Sequence, residues 1–372
     1  MFSAIFRYFK KADKILLFLS LLCSIYGLVL INSATASYDT DQFITIQALA
    51  IGIGIFAFII VSLIDIDRIG IAWRVIFVLN IALQCALLFY GVGGDTTGNN
   101  SWIRFGSIGI QPAEVGKILF IFTFSMHTAL LRERMNHIKH LSKLLIHAGI
   151  IFATVMYTSN DMGMALAYGV ITVIILFIGG LSMKWFYAAG IAVLALVPIV
   201  WNFVLASYQK LRILVIFDPT LDPDKAYQGL QSQTAIGSGG FYGTGYLEGN
   251  LTQFGGLPAK HTDFIFSVAA EEFGFVGAMT IIVLLSLLII RLFFVCFIAP
   301  TDLGSLICAG IGGMFLFQSI QNILMCLAIT PVIGLTLPFF SYGGTSIVTM
   351  FIAVGIVSGI KARETPEHLK NQ

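Results

Sequence analysis

Residues 257–274, LPAKHTDFIFSVAAEEFG, gather Lys260, His261, Asp263, Glu271 and Glu272 into one short run of an otherwise oily chain. Asp263 carries the most chemistry. A carboxylate at the edge of an apolar segment is desolvated, which raises its pKa, and such a group can take a proton from a hydroxyl. Asp263, or Thr262 before it, also suits the N-cap of a helix, where an oxygen accepts from free backbone amides. The residues alone leave both roles open. Glu271 and Glu272, just before Gly274, fit partners of arginine or of backbone N–H groups.

Further polar segments recur along the chain. In WIRFGSIGIQPAEVGK (102–117), Pro112 opens a helix, and Glu114 and Lys117 then share a face and can pair. Trp102 and Arg104 fall at an interface, as a membrane anchor or a substrate contact. Asp161, in a very short connection, is a helix cap or a partner for Lys117 or Arg212. YQGLQSQTAIGSGGFYGTG (227–245), with Gln231 and Ser232, has glycines for tight turns or amides for a phosphate, but no GxxxxGK[ST]. Gln318 and Asn322, four apart, lie on one face of an apolar run, where such residues join helices. LPFFSYGGTS (337–346), with Ser341, reads as irregular backbone, tolerated at membrane depth only inside protein or beside a wet cavity.

The elements that must position these groups are membrane helices. The chain has 372 residues, 58% hydrophobic and 11% charged, against about 25% charged in soluble domains. Mean hydropathy is +0.92. Ten continuous apolar runs approach or exceed the length needed to span a bilayer: 15–34, 43–64, 70–92, 112–131, 144–158, 162–181, 184–207, 275–299, 303–328 and 343–362. The fifth is short. Continuous rather than alternating runs exclude a β-barrel. The fold class is an all-α polytopic membrane protein, a single integral domain with one large loop, 208–274, between spans seven and eight.

Lysine and arginine set the orientation. Arg7, Lys10, Lys11, Lys14, Arg132, Arg134, Lys139, Lys143, Lys361, Arg363 and Lys370 fall on one side with both termini, which is therefore cytoplasmic. The polar segments and the long loop then converge on the outer face. A helix from Asp263 to Cys296 would run about 50 Å, too long for a hydrocarbon core of about 30 Å. A short helix, Thr262 to Phe273, is expected ahead of the span, broken near Gly274 or Gly277. The net charge of +2 says nothing about nucleic acid, but no basic patch interleaved with aromatics appears, and no nucleic-acid partner is expected. Cys23, Cys85, Cys296, Cys308 and Cys326 sit in apolar runs without CxxC spacing, and the six histidines form no metal motif.

Taken in order, WIRFGSIGIQPAEVGK, YQGLQSQTAIGSGGFYGTG, LPAKHTDFIFSVAAEEFG and NILMCLAITPVIGLTLPFFSYGGTS resemble the SEDS family (shape, elongation, division and sporulation). The resemblance spans nearly the whole chain, and the compact tails are closer to the rod-elongation type. It implies a bacterial peptidoglycan glycosyltransferase that polymerises lipid II on the outer face of the cytoplasmic membrane. A class B penicillin-binding protein is the implied partner, alongside other membrane proteins of the elongation complex.

The family's essential aspartate, in HTDF, falls on Asp263. Trp102, Arg104, Glu114, Lys117, Asp161, Gln231, Ser232, His261, Gln318, Asn322 and Ser341 match further motif positions. Under this resemblance Lys117, Arg104 or Arg212 would offset pyrophosphate charge. A divalent cation, magnesium or manganese, could share that load, although no metal site is legible. Ala259 stands where many relatives have an acid, and SNDMGM where many have QPDLGT. Two competing classes are a lipid II flippase, which would place its key groups near the midplane, and a non-catalytic scaffold for the penicillin-binding protein.

Overall fold

The computed structural model describes residues 12–38, 40–93, 101–105, 108–205 and 207–363. Arg7, Lys10, Lys11, Lys370 and residues 106–107 of the 102–117 segment lie outside the described residues. Twelve helices of eleven residues or more, besides three of four or five residues, organise the described residues. Seven come first: α1 (Lys14–Thr35), α2 (Gln42–Leu63), α3 (Trp73–Cys85), α4 (Pro112–Leu131), α5 (Ile138–Ser159), α6 (Met162–Ile178) and α7 (Met183–Ile199). The long loop carries α8 (Ser207–Phe217) and α9 (Pro223–Ser238), and α10 (Ile265–Ile298), α11 (Asp302–Cys326) and α12 (Gly344–Ala362) follow. Among the described residues nine helices are long and apolar enough to cross a membrane, and α6, at 17 residues, is a shorter tenth apolar helix. The chain is a polytopic, predominantly helical membrane protein.

Two expectations shift. The fifth span is a full 22 residues, because its helix starts at Ile138 among Lys139 and Lys143, which mask it in hydropathy. The sixth is the short one, ending where Gly180 turns with φ +96°. A small antiparallel sheet is an exception to the all-helical expectation: β1 (Gly91–Val92), β2 (Trp102–Phe105) and β3 (Ile108–Ile110). Arg104 pairs with Gly109, and Thr345 at the start of α12 donates to the Gly109 carbonyl at 2.6 Å.

The core lies among α1, α4, α6, α10, α11 and α12. Inside lipid the apolar effect does not drive helices together, so close packing of small residues does. On α12, a side-chain carbon at Gly355 or Gly359 would sit 2.8 Å from the Phe58 carbonyl or 2.6 Å from that of Ser62 on α2. By contrast, α7 buries none of its residues.

Ion pairs tie helix ends together at one end of the bundle. Asp13, the N-cap of α1, meets Arg291 of α10 at 2.8 Å and Lys361 of α12 at 3.0 Å. Arg132 after α4 pairs with Asp302 at the start of α11, and Arg363 after α12 pairs with Asp65 after α2. The two ends of the described chain therefore lie on the same side. The start of α10, with Asp263, is at the other end.

At Gly274 the φ of +65° and ψ of −159° break α10, leaving about 36 Å of helix after the break at 1.5 Å per residue. A break orphans backbone groups on both sides. The turn at 240–245 takes them up: Thr244 and Gly245 donate to the Glu271 and Glu272 carbonyls at 2.9 and 3.1 Å. Phe275 and Val276 donate back to Gly240 and Phe241 at 2.9 and 3.3 Å. A side-chain carbon on Gly243 would run into the Glu272 carbonyl. These glycines are spent on splicing the break, and most of 227–245 is helix α9, so the phosphate-cradle reading gives way.

Candidate active site

The Asp263 turn is built from backbone. Ala259, at φ +45°, turns its carbonyl toward the N–H groups of Thr262, Asp263 and Phe264, at 3.1, 3.1 and 3.3 Å. The next carbonyls are claimed by other elements. Tyr342 N–H donates to the His261 carbonyl at 2.8 Å, and the Ser341 hydroxyl to that of Thr262 at 2.6 Å. The Asn322 amide donates to that of Asp263 at 2.8 Å, and also to Leu335 at 2.8 Å. Asn322 and Ser341, read as site residues, are thus clamps on this turn. Gln47 of α2 braces the second clamp, donating to the Ser341 carbonyl at 3.2 Å and accepting from Gly343 N–H at 3.1 Å.

The helix that follows starts at Ile265. Its N-cap is Phe264, with no side-chain cap bond. The cap role left open for Asp263 and Thr262 is therefore not taken, and the expected short helix begins three residues late. The Asp263 carboxyl keeps partial access. Burial, then the neighbouring Asp161 carboxylate, push its pKa up to about 6, against an opposing hydrogen bond from Thr262. Asp161 does cap: its Oδ1 accepts from Met164 N–H of α6 at 3.0 Å. Burial raises its pKa too, with Glu114 adding to the effect and Lys117 opposing it. Irregular backbone at 331–337 threads between these groups. A side-chain carbon on Gly163 would meet the Ile333 carbonyl at 2.6 Å, and one on Gly334 would lie 3.9 Å from Asp263 Oδ2.

Glu114 and Lys117 form the expected pair, 2.9 Å apart and almost fully buried. Three residues that the sequence reading passed over fix the helix beneath them. Asn80 and Gln84 of α3 donate to the Gly116 and Pro112 carbonyls at 3.1 Å each, and Tyr168 of α6 to that of Ala113 at 3.0 Å. The signal was available: Asn80 and Gln84 are polar residues four apart in an apolar run, the pattern that singled out Gln318 and Asn322. Gln318 is wholly buried with neither amide atom partnered.

Ser232 of α9 shares a hydrogen bond of 2.6 Å with Ser267 and donates to the Cys326 carbonyl at 2.6 Å, which docks the loop onto the site. Gln231 is partly exposed on α9 and Arg104 is exposed on β2. Trp102 lies over Gly109. The side chain of Arg212 lies outside the described residues. His261 packs edge-on against Phe43, its ring centre 5.0 Å away, and burial followed by the Lys260 charge holds its pKa down.

Glu271 and Glu272 are supports, as one reading had them. Glu271 accepts from Leu251 and Thr252 N–H at 2.8 and 2.9 Å, and Glu272 from Gln253 at 2.9 Å and from Ser33. Lys260 donates to Ser37 at 2.8 Å and to the Thr252 carbonyl, and lies 5.1 Å from the Tyr38 ring centre. It fastens the loop to α1.

Fold and site define a polytopic membrane protein with a desolvated carboxyl on a clamped turn at one end of its bundle. The family model described as "Cell cycle protein", that of FtsW, RodA and SpoVE, matches residues 13–366, and the chain belongs to this family. It is 31% identical over 373 residues to the "Probable peptidoglycan glycosyltransferase FtsW" of Geobacter sulfurreducens, covering 95% of this chain and 96% of that one. It is 34% identical over 282 residues to the "Peptidoglycan glycosyltransferase MrdB" of Escherichia coli, covering 74% and 75%.

Among solved structures, one described as "Structural coordination of polymerization and crosslinking by a peptidoglycan synthase complex" matches with a TM-score of 0.82. The two chains are 26% identical, over 94% of this one and 97% of the other. The rod shape determining protein RodA of Thermus thermophilus shares the fold, with a TM-score of 0.70 at 24% identity over 94% and 96%.

Proposed function

We propose that this protein is a peptidoglycan glycosyltransferase that polymerises lipid II into glycan strands on the outer face of the bacterial cytoplasmic membrane. The 4-hydroxyl of an acceptor sugar attacks the anomeric carbon of a donor. The bond to undecaprenyl pyrophosphate breaks, configuration inverts, and a β-1,4 link forms. Asp263 takes the hydroxyl proton. The observation that carries this is the state of its carboxyl: freed from capping, partly accessible, raised toward neutrality and held on a turn gripped at three successive carbonyls.

Lys117 is already compensated by Glu114 and adds little net charge to the site. Arg104, exposed on β2, is the freer counter-charge for a pyrophosphate. Among the described residues no three potential ligands cluster for a metal. A magnesium or manganese ion would be held by Asp161 together with substrate phosphates, the usual manner for magnesium, and would neutralise the leaving group, leaving Asp263 free to take the proton. The partner is a class B penicillin-binding protein that crosslinks the strands, a reading supported by likeness to the synthase complex.

The positive-inside bias of Lys14, Lys139, Lys143, Lys361 and Arg363 supports cytoplasmic termini, with loop 208–274 outside. Gel analysis of labelled lipid II, incubated with purified protein and its partner, tests the activity. Polymer from wild type and none from a folded Asp263→Ala is expected; equal polymer from both sinks the base assignment. The elongation role, supported by likeness to MrdB and RodA, predicts rounded cells on depletion. Filaments would instead assign the protein to division.

A further inference from the structure

Near the Asp263 turn lies an open groove of about 180 Å³ that the reaction above leaves unused. Asn32, Thr35, Ala36, Thr40, Asp41 and Ile44 line it, from the end of α1 and the start of α2. Asp41 precedes α2 yet bonds none of its amides with its side chain, so its carboxylate is available to a ligand. Asn32 is braced by donating to the Tyr246 hydroxyl at 2.6 Å.

An aromatic chain joins this groove to the catalytic turn. Tyr38 and Phe43, either side of the Thr40–Asp41 wall, have ring centres 5.5 Å apart. Phe43 contacts His261 at 5.0 Å and Tyr342 at 5.2 Å. Tyr38 stands outside the groove wall, between Ala36 and Thr40 in the chain, and remains 42% exposed, enough to offer a ring to a ligand that extends past the groove. An anionic ligand meets Asp41, and an alkyl chain meets mostly polar walls. A neutral, hydroxyl-rich oligosaccharide satisfies both: hydroxyls of the ring in the groove donate to Asp41 and the threonines, and the C–H face of a ring that extends past it can lie on Tyr38.

We propose that this groove is a saccharide subsite, taking a neutral β-linked N-acetylhexosamine unit of the glycan beside the reacting sugars. The proposal rests on the glycosyltransferase reading but is tested by binding alone. Saturation-transfer NMR of the purified full-length chain in detergent, with a β-1,4-linked N-acetylglucosamine tetramer as probe, should show contact. Tyr38→Ala and Asp41→Ala should each weaken it about tenfold, Tyr38→Phe should retain it, and Asp263→Ala should leave it in place. With lipid II, Tyr38→Ala should shorten the strands made.

Unchanged binding in both alanine variants, no binding by wild type, or loss in Asp263→Ala each overturns the proposal. So does tetramer binding kept by the alanine variants while binding to the penicillin-binding protein is lost, which makes the groove a protein contact. Wild type that binds the tetramer but makes no polymer leaves the groove standing and removes the polymerase reading instead.

Discussion

Replacing Asp263 with asparagine should stabilise this protein while stopping polymerisation. The carboxyl is held near pKa 6, against an ordinary 3.8, first by burial and then by repulsion from Asp161. The folded chain therefore binds this proton more tightly than the unfolded chain does. The stability so gained is fully present below about pH 4 and is lost as pH rises through about 6. At about 1.4 kcal/mol per unit of pKa, the ionised carboxylate destabilises the fold by up to about 3 kcal/mol at pH 7.5, and by under about 1 kcal/mol at pH 4. Asparagine has nearly the same shape and no charge, so it escapes the penalty. Thermal unfolding of both proteins in detergent should show the variant melting several degrees higher at pH 7.5 and level with wild type at pH 4. A variant that melts lower, by the same margin at both pH values, would mean that the carboxylate holds the fold together. Asp263 would then not be a desolvated base.

Initial polymerisation rates should fall as pH drops through about 6, as Asp263 gains its proton, and Asp161→Asn should move that midpoint downward by removing the repulsion; an unmoved midpoint separates the two carboxylates. Lys117→Met leaves Glu114 buried and uncompensated and should cost about 3–5 kcal/mol in unfolding measurements, most of it recovered in the double variant with Glu114→Gln. Asn322→Leu strips a hydrogen bond from the Asp263 and Leu335 carbonyls; kcat should fall sharply while co-purification with the partner persists. Gly274→Ala forces a side-chain carbon onto Gly243 N and a positive φ. A loss of about 2 kcal/mol or more in thermal stability is expected, and none would mean that the break is not needed.

The apolar helices were legible because each is a continuous oily run, and their ends fell within a few residues where Pro112 or Gly180 punctuates them. The short strands were not, since two to four residues hold too little alternation to detect. Charge hid the start of α5. The break at Gly274 was readable from length alone, but its partner turn was not, because complementarity between residues 240–245 and 271–276 exists only after folding. Folding brings the polar intruders Asp161, Asn322 and Ser341 together around the Asp263 turn. The division of polar residues into clamps (Asn322, Ser341), supports (Glu271, Glu272) and a free carboxyl needed coordinates. Lys260 had no sequence explanation because two of its partners, Ser37 and Tyr38, lie over 200 positions away, and the third is a main-chain carbonyl, that of Thr252.

The grip on residues 261–263 is taken through main-chain carbonyls, and every residue type supplies the same carbonyl. The latch here thus makes no use of the three side chains, although the His261 ring still packs on Phe43 and the Asp263 charge still bears on stability. Cysteine, serine or a probe-bearing residue can be placed at His261, Thr262 or Asp263 with the turn still latched by Tyr342, Ser341 and Asn322. Loss of function at Asp263 in a variant that keeps these latches can accordingly be charged to the missing carboxylate, a separation of form from chemistry that few buried sites allow.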